Sequence, residues 1–131
     1  MTHVDHASDL MQFAYKEAMS QTPAEQAGWL LDNVGPRIAT AGLGLADARQ
    51  LKRWRAGEVE PRSHELALRL HLLFRVAWAV TNAYGAKTAA LFLRSANPQL
   101  ADQAPLMLLR EQDPDTIQGR LLAATEAFLA S

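Results

Sequence analysis

The stretch LALRLHLLFRVAWAV, residues 66–80, carries only Arg69, His71 and Arg75 as polar side chains. At helical spacing it is apolar on nearly every face. One buried face satisfies a helix in a small two-layer fold. Apolar residues on several faces imply cover from both lobes of the chain, or from a second subunit. We therefore expect a central strut, and self-association as a dimer through the 66–80 helix. The run is too short and too interrupted to cross a bilayer, so no membrane segment is expected.

Helix signals continue outward on both sides of the strut. Pro61 and Ser63 open it and Gly85 stops it after Tyr84. Downstream, a shorter helix spans 86–94, Asn97-Pro98 breaks the chain, and a compact turn covers 105–109. Asp113-Pro114 then opens a last helix with Ile117, Leu121, Ala124 and Phe128 on one stripe. Upstream, Ser8 or Asp9 caps a first helix bearing Leu10, Phe13 and Ala14. Thr22-Pro23-Ala24-Glu25 reads as a capping box with proline at the first helical position. That helix presents Ala27, Leu30, Leu31 and Val34 before Gly35-Pro36. A short helix ending near Ala41 leads into the turn Gly42-Leu43-Gly44. Asp47 caps the next helix, with Gln50 three residues later. Leu51 and Trp54 face inward there and Gly57 closes it. Alanine and leucine abound and alternating Val/Ile/Thr runs are missing, so the whole chain reads all-α.

The chain has the length of a single domain at 131 residues, with 49% hydrophobic and 21% charged side chains. That composition excludes wholesale disorder. With no cysteine, disulfides, thiolate zinc sites, iron–sulfur clusters and cysteine nucleophiles are excluded. The opening MTHVDHASDLMQF lacks a basic segment followed by an apolar run, so a soluble, cytoplasmic protein is expected. The overall charge of −1 hides an asymmetry: residues 1–33 carry −4, residues 34–75 carry +4 and residues 76–131 carry −1. Only the middle segment would attract a phosphate backbone. A solvated helix face is the plainer account of such a cluster.

Catalytic and metal chemistry find little support. His64 and His71 lie two turns apart without a third ligand, His3 and His6 stand near the start, and no second histidine follows His64-Glu65 at zinc-protease spacing. Asp113 and Asp115 beside Pro114 fit a helix start, and Glu58 and Glu60 flank a turn. Gly42-Leu43-Gly44 is too short for a phosphate loop. No metal, cofactor or catalytic residue is assigned, and a non-enzymatic protein is expected. A small enzyme with a dispersed active site is the third-ranked class.

Residues 34–61 read short helix, glycine turn, second helix and tight exit, the outline of a helix-turn-helix. The second helix turns Arg49, Gln50, Lys52, Arg53 and Arg55 outward while Leu51 and Trp54 anchor it. Guanidinium groups so placed suit phosphates and guanine edges. The pattern Trp54-x-x-Gly57-x-x-x-Pro61 resembles the closing segment of Xre-type, Cro/repressor-like domains. In that pattern an alanine precedes the turn glycine by four, and inward apolars follow it by six and nine. Ala41, Leu51 and Trp54 match, but Leu45 stands at the glycine position and Gly44 comes one residue early, so a reshaped turn is expected.

The second half adds Tyr84-Gly85, Ala89-x-x-Phe92-Leu93, Asn97-Pro98-Gln99-Leu100 and Pro105-Leu106-x-Leu108-Leu109. In that order, and after Trp54, Gly57 and Pro61-Arg62, these elements resemble the antitoxin Xre/MbcA/ParS toxin-binding family over about residues 28–125. The resemblance implies an antitoxin of a type II toxin–antitoxin pair, helical and commonly oligomeric, whose partner is a RES-domain toxin that destroys NAD. It implies that the C-terminal part covers the toxin's active site and that the helix-turn-helix can bind the shared promoter. Three segments follow: an N-terminal helix or arm (1–22), a helix-turn-helix-like domain with the long helix (23–84) and a toxin-binding-like domain (85–131). For the toxin surface we expect Leu100, Pro105, Leu106, Leu109, Phe128 and Leu129, rimmed by Arg94, Arg110 and Arg120. Core leucines are the plainer reading of that set. The alternative function is a stand-alone helix-turn-helix transcriptional regulator without a toxin.

Overall fold

Helix starts in this chain are set by oxygen-bearing caps and by prolines in the first turn. The computed structural model describes residues 6–131. Its elements are α1 (His6–Ser20), α2 (Pro23–Asn33), α3 (Pro36–Leu43), α4 (Ala48–Arg55), α5 (His64–Tyr84), α6 (Ala86–Arg94), a 3-10 turn (Pro98–Leu100), α7 (Pro105–Glu111) and α8 (Pro114–Ala130). Among the described residues there is no strand, and the fold is all-α. Thr22 accepts from the Glu25 amide at 3.1 Å and donates its own amide to the Glu25 carboxylate at 2.9 Å, ahead of Pro23. Asp47, Ser63 and Asp113 cap α4, α5 and α8 by accepting backbone N–H groups at 2.8, 3.1 and 3.1 Å. Gly85, at φ +98°, both ends α5 and begins α6, a backbone state that a side chain would strain.

Several local expectations shift. Helix α1 already includes His6, so Asp9 lies in its first turn instead of capping it. Its carboxylate suits the positive helix end there. The buried stripe is Ala7, Met11, Ala14 and Ala18, spaced four, three and four; Phe13 points away and is 56% exposed. Small residues on that stripe let α1 lie close against α5 and α8. Helix α3 runs past Ala41 through Gly42 to Leu43, and Gly44 closes it in the left-handed region at φ +71°. A Cβ on Gly42 would come within 2.9 Å of Leu106 Cδ1 and 3.3 Å of Leu73 Cδ2. Glycine there allows α3 to approach α5 and α7. The compact turn expected at 105–109 is a full short helix, α7.

Helix α5 is the strut. Leu70, Leu72, Leu73, Phe74, Val76, Ala77, Ala79 and Val80 are buried on it, and α1, α2, α3, α6, α7 and α8 pack around it. Each large side chain so buried contributes roughly 1.5–3 kcal/mol. The chain thus supplies its own cover. The apolarity that suggested a second subunit on residues 66–80 is accounted for within one copy, so that helix offers a dimer no broad apolar face. One connected set of buried side chains runs from Ala27 to Ala124, across the Tyr84–Gly85 boundary, and α1 adds Met11 and Ala14 against Ala79. Among the described residues no helix is long and apolar enough to cross a membrane.

Arg69 ties α5 to the end of α7. Its Nε donates to the Leu109 carbonyl at 2.9 Å, its Nη2 donates to the Gln112 carbonyl at 3.0 Å, and Glu65 pairs with it at 2.7 Å. Those carbonyls belong to the end of a helix, where no N–H of the next turn is left to satisfy them.

Candidate partner-binding site

The α4 face follows from two anchors. Leu51 and Trp54 are fully buried, so Arg49, Lys52 and Arg53 project to solvent, with Gln50 half-buried beside them. Arg55 departs from that set. It leans back on α2, 3.2 Å from Asp32, with its aliphatic stem over Gly28. Arg49 lies 2.8 Å from Asp47 and Arg53 lies 3.3 Å from Glu58. The Arg49 side-chain hydrogen bond holds the Asp47 carboxyl below its usual value, and Asp47 raises Arg49 in turn. Three of the four cations on α4 therefore have a carboxylate beside them, and Lys52 has none within 4.0 Å among the described residues. Exposed pairs of this kind are weak and exchange readily for phosphate. The attracting field is still smaller than a count of basic residues suggests.

Most of the apolar surface expected in the C-terminal half is core. Leu100, Leu106 and Leu109 are 1%, 8% and 1% exposed, and Pro105 is buried with them. The cause is the stripe of α7: Pro105, Leu106, Leu108 and Leu109 face the helices α3, α5, α6 and α8, leaving Met107 outside. Arg110 is exposed but donates to the Ala41 carbonyl at 3.2 Å, tying α7 to the end of α3. Leu129 is half-buried and its carbonyl accepts from the Tyr84 hydroxyl at 3.2 Å. Arg94 and Arg120 are exposed.

What remains open is a groove of about 530 Å³ between α6, the segment 96–99 and the end of α8. Leu91, Phe92, Ala96, Pro98, Ala127 and Phe128 make it mainly apolar, and Thr88, Ser95 and Gln99 supply polar points. Phe128 packs tilted against Phe92, 4.6 Å between ring centroids, and meets Tyr84 edge-on at 5.7 Å. Tyr84 and Leu91 are 47% and 45% exposed. The Asn97 side chain accepts from the Gln99 amide at 2.9 Å, and its carbonyl accepts from Leu100 and Asp102, each at 2.9 Å. This knot holds Pro98 and Gln99 in the groove wall while Leu100 plugs the core beneath. Lys87, Arg94 and Arg120 stand exposed on the same two helices, with no carboxylate within 4.0 Å among the described residues. Leu91 escaped the sequence reading, and Tyr84 entered it as a motif residue at the end of the long helix, not as part of a contact surface. The signal was present in α6, where Ala89, Phe92 and Leu93 form the inward stripe and leave Leu91 off it.

The histidines do not converge. His64 lies 3.3 Å from Asp115, while His71 stands edge-on to Tyr15 at 6.3 Å between ring centroids. Burial, and secondarily Arg75, lower the His71 pKa. His3 lies outside the described residues. Among the described residues no three His, Asp or Glu side chains are gathered as for a metal ion. No protein-family model matches the sequence, and neither a curated protein nor a solved structure is significantly similar to it.

Proposed function

We propose that this chain is the antitoxin of a type II toxin–antitoxin pair, neutralising a RES-type, NAD-degrading toxin by covering its active site. One observation carries the reading. Asn97-Pro98-Gln99, part of the series of motifs that resembles the antitoxin family, lines the α6–α8 groove, while the leucines that follow it as far as Leu109 are buried. Partner contact then belongs to the groove, through Leu91 and Phe128, with Arg94 and Arg120 as flanking cations. Exposed aromatic and aliphatic side chains around a concavity, rimmed by charge, are the composition of a binding hot spot. Purification of the tagged chain from its native host, with mass spectrometry of what stays bound, tests the reading. The expected result is a stoichiometric small protein whose NAD consumption is silent in the complex and returns when the two are separated. A toxin that stays fully active in an equimolar mixture overturns it.

A second reading, a stand-alone DNA-binding regulator, rests on the outward Arg49, Lys52 and Arg53 of α4. The same surface serves promoter autoregulation within the antitoxin reading. Replacing these three residues with alanine then abolishes promoter binding and flattens its salt dependence. Unchanged binding removes α4 from the DNA surface.

A further inference from the structure

The groove between α6 and the end of α8 is apolar inside and cationic at its edge. Leu91 on one bank and Ala124, Ala127 and Phe128 on the other leave space between them for apolar side chains. Helical spacing sets Lys87 four residues before Leu91 and Arg94 three after it, so both flank it on one stripe of α6. On α8, Arg120 heads the stripe that continues through Ala124 and Ala127. All three cations are exposed, with no carboxylate within 4.0 Å among the described residues. Residues 76–131 hold five carboxylate side chains and four cations. No Asp or Glu side chain lines the groove, whereas three of those four cations edge it.

A partner that fits must bring apolar side chains into the concavity and negative charge to its edge. A nucleic acid supplies only the second: its phosphates leave Leu91 and Phe128 unserved, and the net −1 of residues 76–131 opposes a polyanion. An extended peptide gains most from a strand edge that takes up its backbone N–H and C=O groups, and the described residues contain no strand. A helix satisfies its own backbone and needs only side-chain contact. Alanine at 124 and 127 lets such a helix come close to α8. Lys87 and Arg94 stand two turns apart, about 10 Å of helical rise, so a helix lying along α6 meets both with carboxylates at that same spacing. We propose that the groove receives an acidic amphipathic helix of a partner protein, its apolar stripe seated between Leu91 and Phe128 and its carboxylates on Lys87, Arg94 and Arg120. This rests on the assignment of partner contact to the groove, and does not require that partner to be a toxin.

The test titrates the full chain with synthetic peptides of about 16 residues, long enough to hold a helix, and follows its backbone amides in proton–nitrogen spectra. The first peptide carries leucines at helical spacing, flanked by glutamates two turns apart. The second replaces each glutamate with lysine, the third scrambles the first, and the fourth is acidic and proline-rich. A short DNA duplex completes the set. The expected result is a saturable shift at the Leu91, Arg94 and Ala127 amides for the first peptide, with a dissociation constant on the order of 0.1 mM. The lysine twin and the scramble bind more weakly by about ten-fold, the loss of three exposed ion pairs or of the apolar stripe. The triple variant Lys87→Glu, Arg94→Glu, Arg120→Glu inverts the preference, so the lysine twin binds it better. Equal binding of the first two peptides, tightest binding of the scramble, the proline-rich peptide or DNA, or no shift at these amides overturns the proposal. So does a shift at the same amides on concentrating the chain alone, lost in Leu91→Asp, because a second copy then fills the groove. The comparison of probes is made on the unmodified chain and stands whatever the triple variant does. A silenced toxin without preference for the acidic helix strikes this proposal and leaves the antitoxin reading; that preference without a toxin in the native complex does the reverse.

Discussion

At the scale of single residues, two positions carry more than their exposure suggests. Arg69 donates to carbonyls at the end of α7, and its side chain is only 14% exposed. Arg69→Leu keeps apolar contact along the stem but strands both carbonyls. We expect a loss of about 2 kcal/mol, seen as a lower urea midpoint with an unchanged slope. Arg69→Lys should recover only part of it, because one ammonium cannot reproduce a fork. Ala101 is the opposite case. It follows the 3-10 turn at φ +55°, and Asp102 continues at φ +66°, in the region that an L side chain enters at a cost. Relief of that strain outweighs the added freedom of glycine in the unfolded chain. Ala101→Gly is expected to raise stability by roughly 0.5–1 kcal/mol, measured by thermal unfolding. An unchanged or lower melting temperature would show that the turn holds Ala101 without strain.

At the scale of elements, the groove and the helix beneath it separate partner contact from folding. Leu91 is 45% exposed on α6 and Leu100 is 1% exposed. Leu91→Asp should therefore leave the melting temperature nearly unchanged and weaken the proposed toxin complex by about 30-fold, the effect of a hot-spot side chain. Leu100→Ala should instead cost about 2–5 kcal/mol of stability. A titration by calorimetry and a melt on each variant check both halves. If Leu91→Asp binds as tightly as the parent, the contact surface lies elsewhere. This division was only half legible in the sequence. Caps and breakers announced themselves: Thr22, Asp47, Ser63 and Asp113 accept from backbone within three residues, and Gly85 supplies a positive φ, so each acts where local chemistry put it. Which face of a helix meets solvent depends instead on distant neighbours. Leucines at 100, 106 and 109 look alike whether they meet a toxin or α5, and Phe13 looks like core until α1 is placed with its alanine stripe inward. The pairing of Arg55 was hidden for a related reason, whereas Asp47 and Glu58 lie within five residues of Arg49 and Arg53. Asp32 lies 23 positions before Arg55 and only the packing of α2 on α4 brings them together.

At the scale of the molecule, α5 makes the fold respond to acid. Its one pair of half-buried titratable groups away from Arg69, His71 and Arg75, faces α1 through Tyr15. Burial, then the Arg75 charge, lowers the His71 pKa in the folded chain. A histidine with a lowered folded pKa takes up its proton more readily when unfolded. Stability from this group is therefore fully present above the unfolded value of about 6.5. It is lost as pH falls from there toward the lower folded value, the unfolded state binding more protons across that window. We expect the melting temperature to drop between neutral pH and pH near 5 by more than it does in His71→Gln, which has no proton to take up. Because Tyr15 is the contact, hydrogen exchange of α1 amides should accelerate first on acidification, ahead of α5 itself. Equal acid sensitivity in the two chains would show that His71 does not carry the loss. The argument also bears on assembly. A helix wrapped by six others releases nothing to a second copy unless α1 lifts, so a dimer through residues 66–80 would have to form where α1 is loosened, and would grow as pH falls.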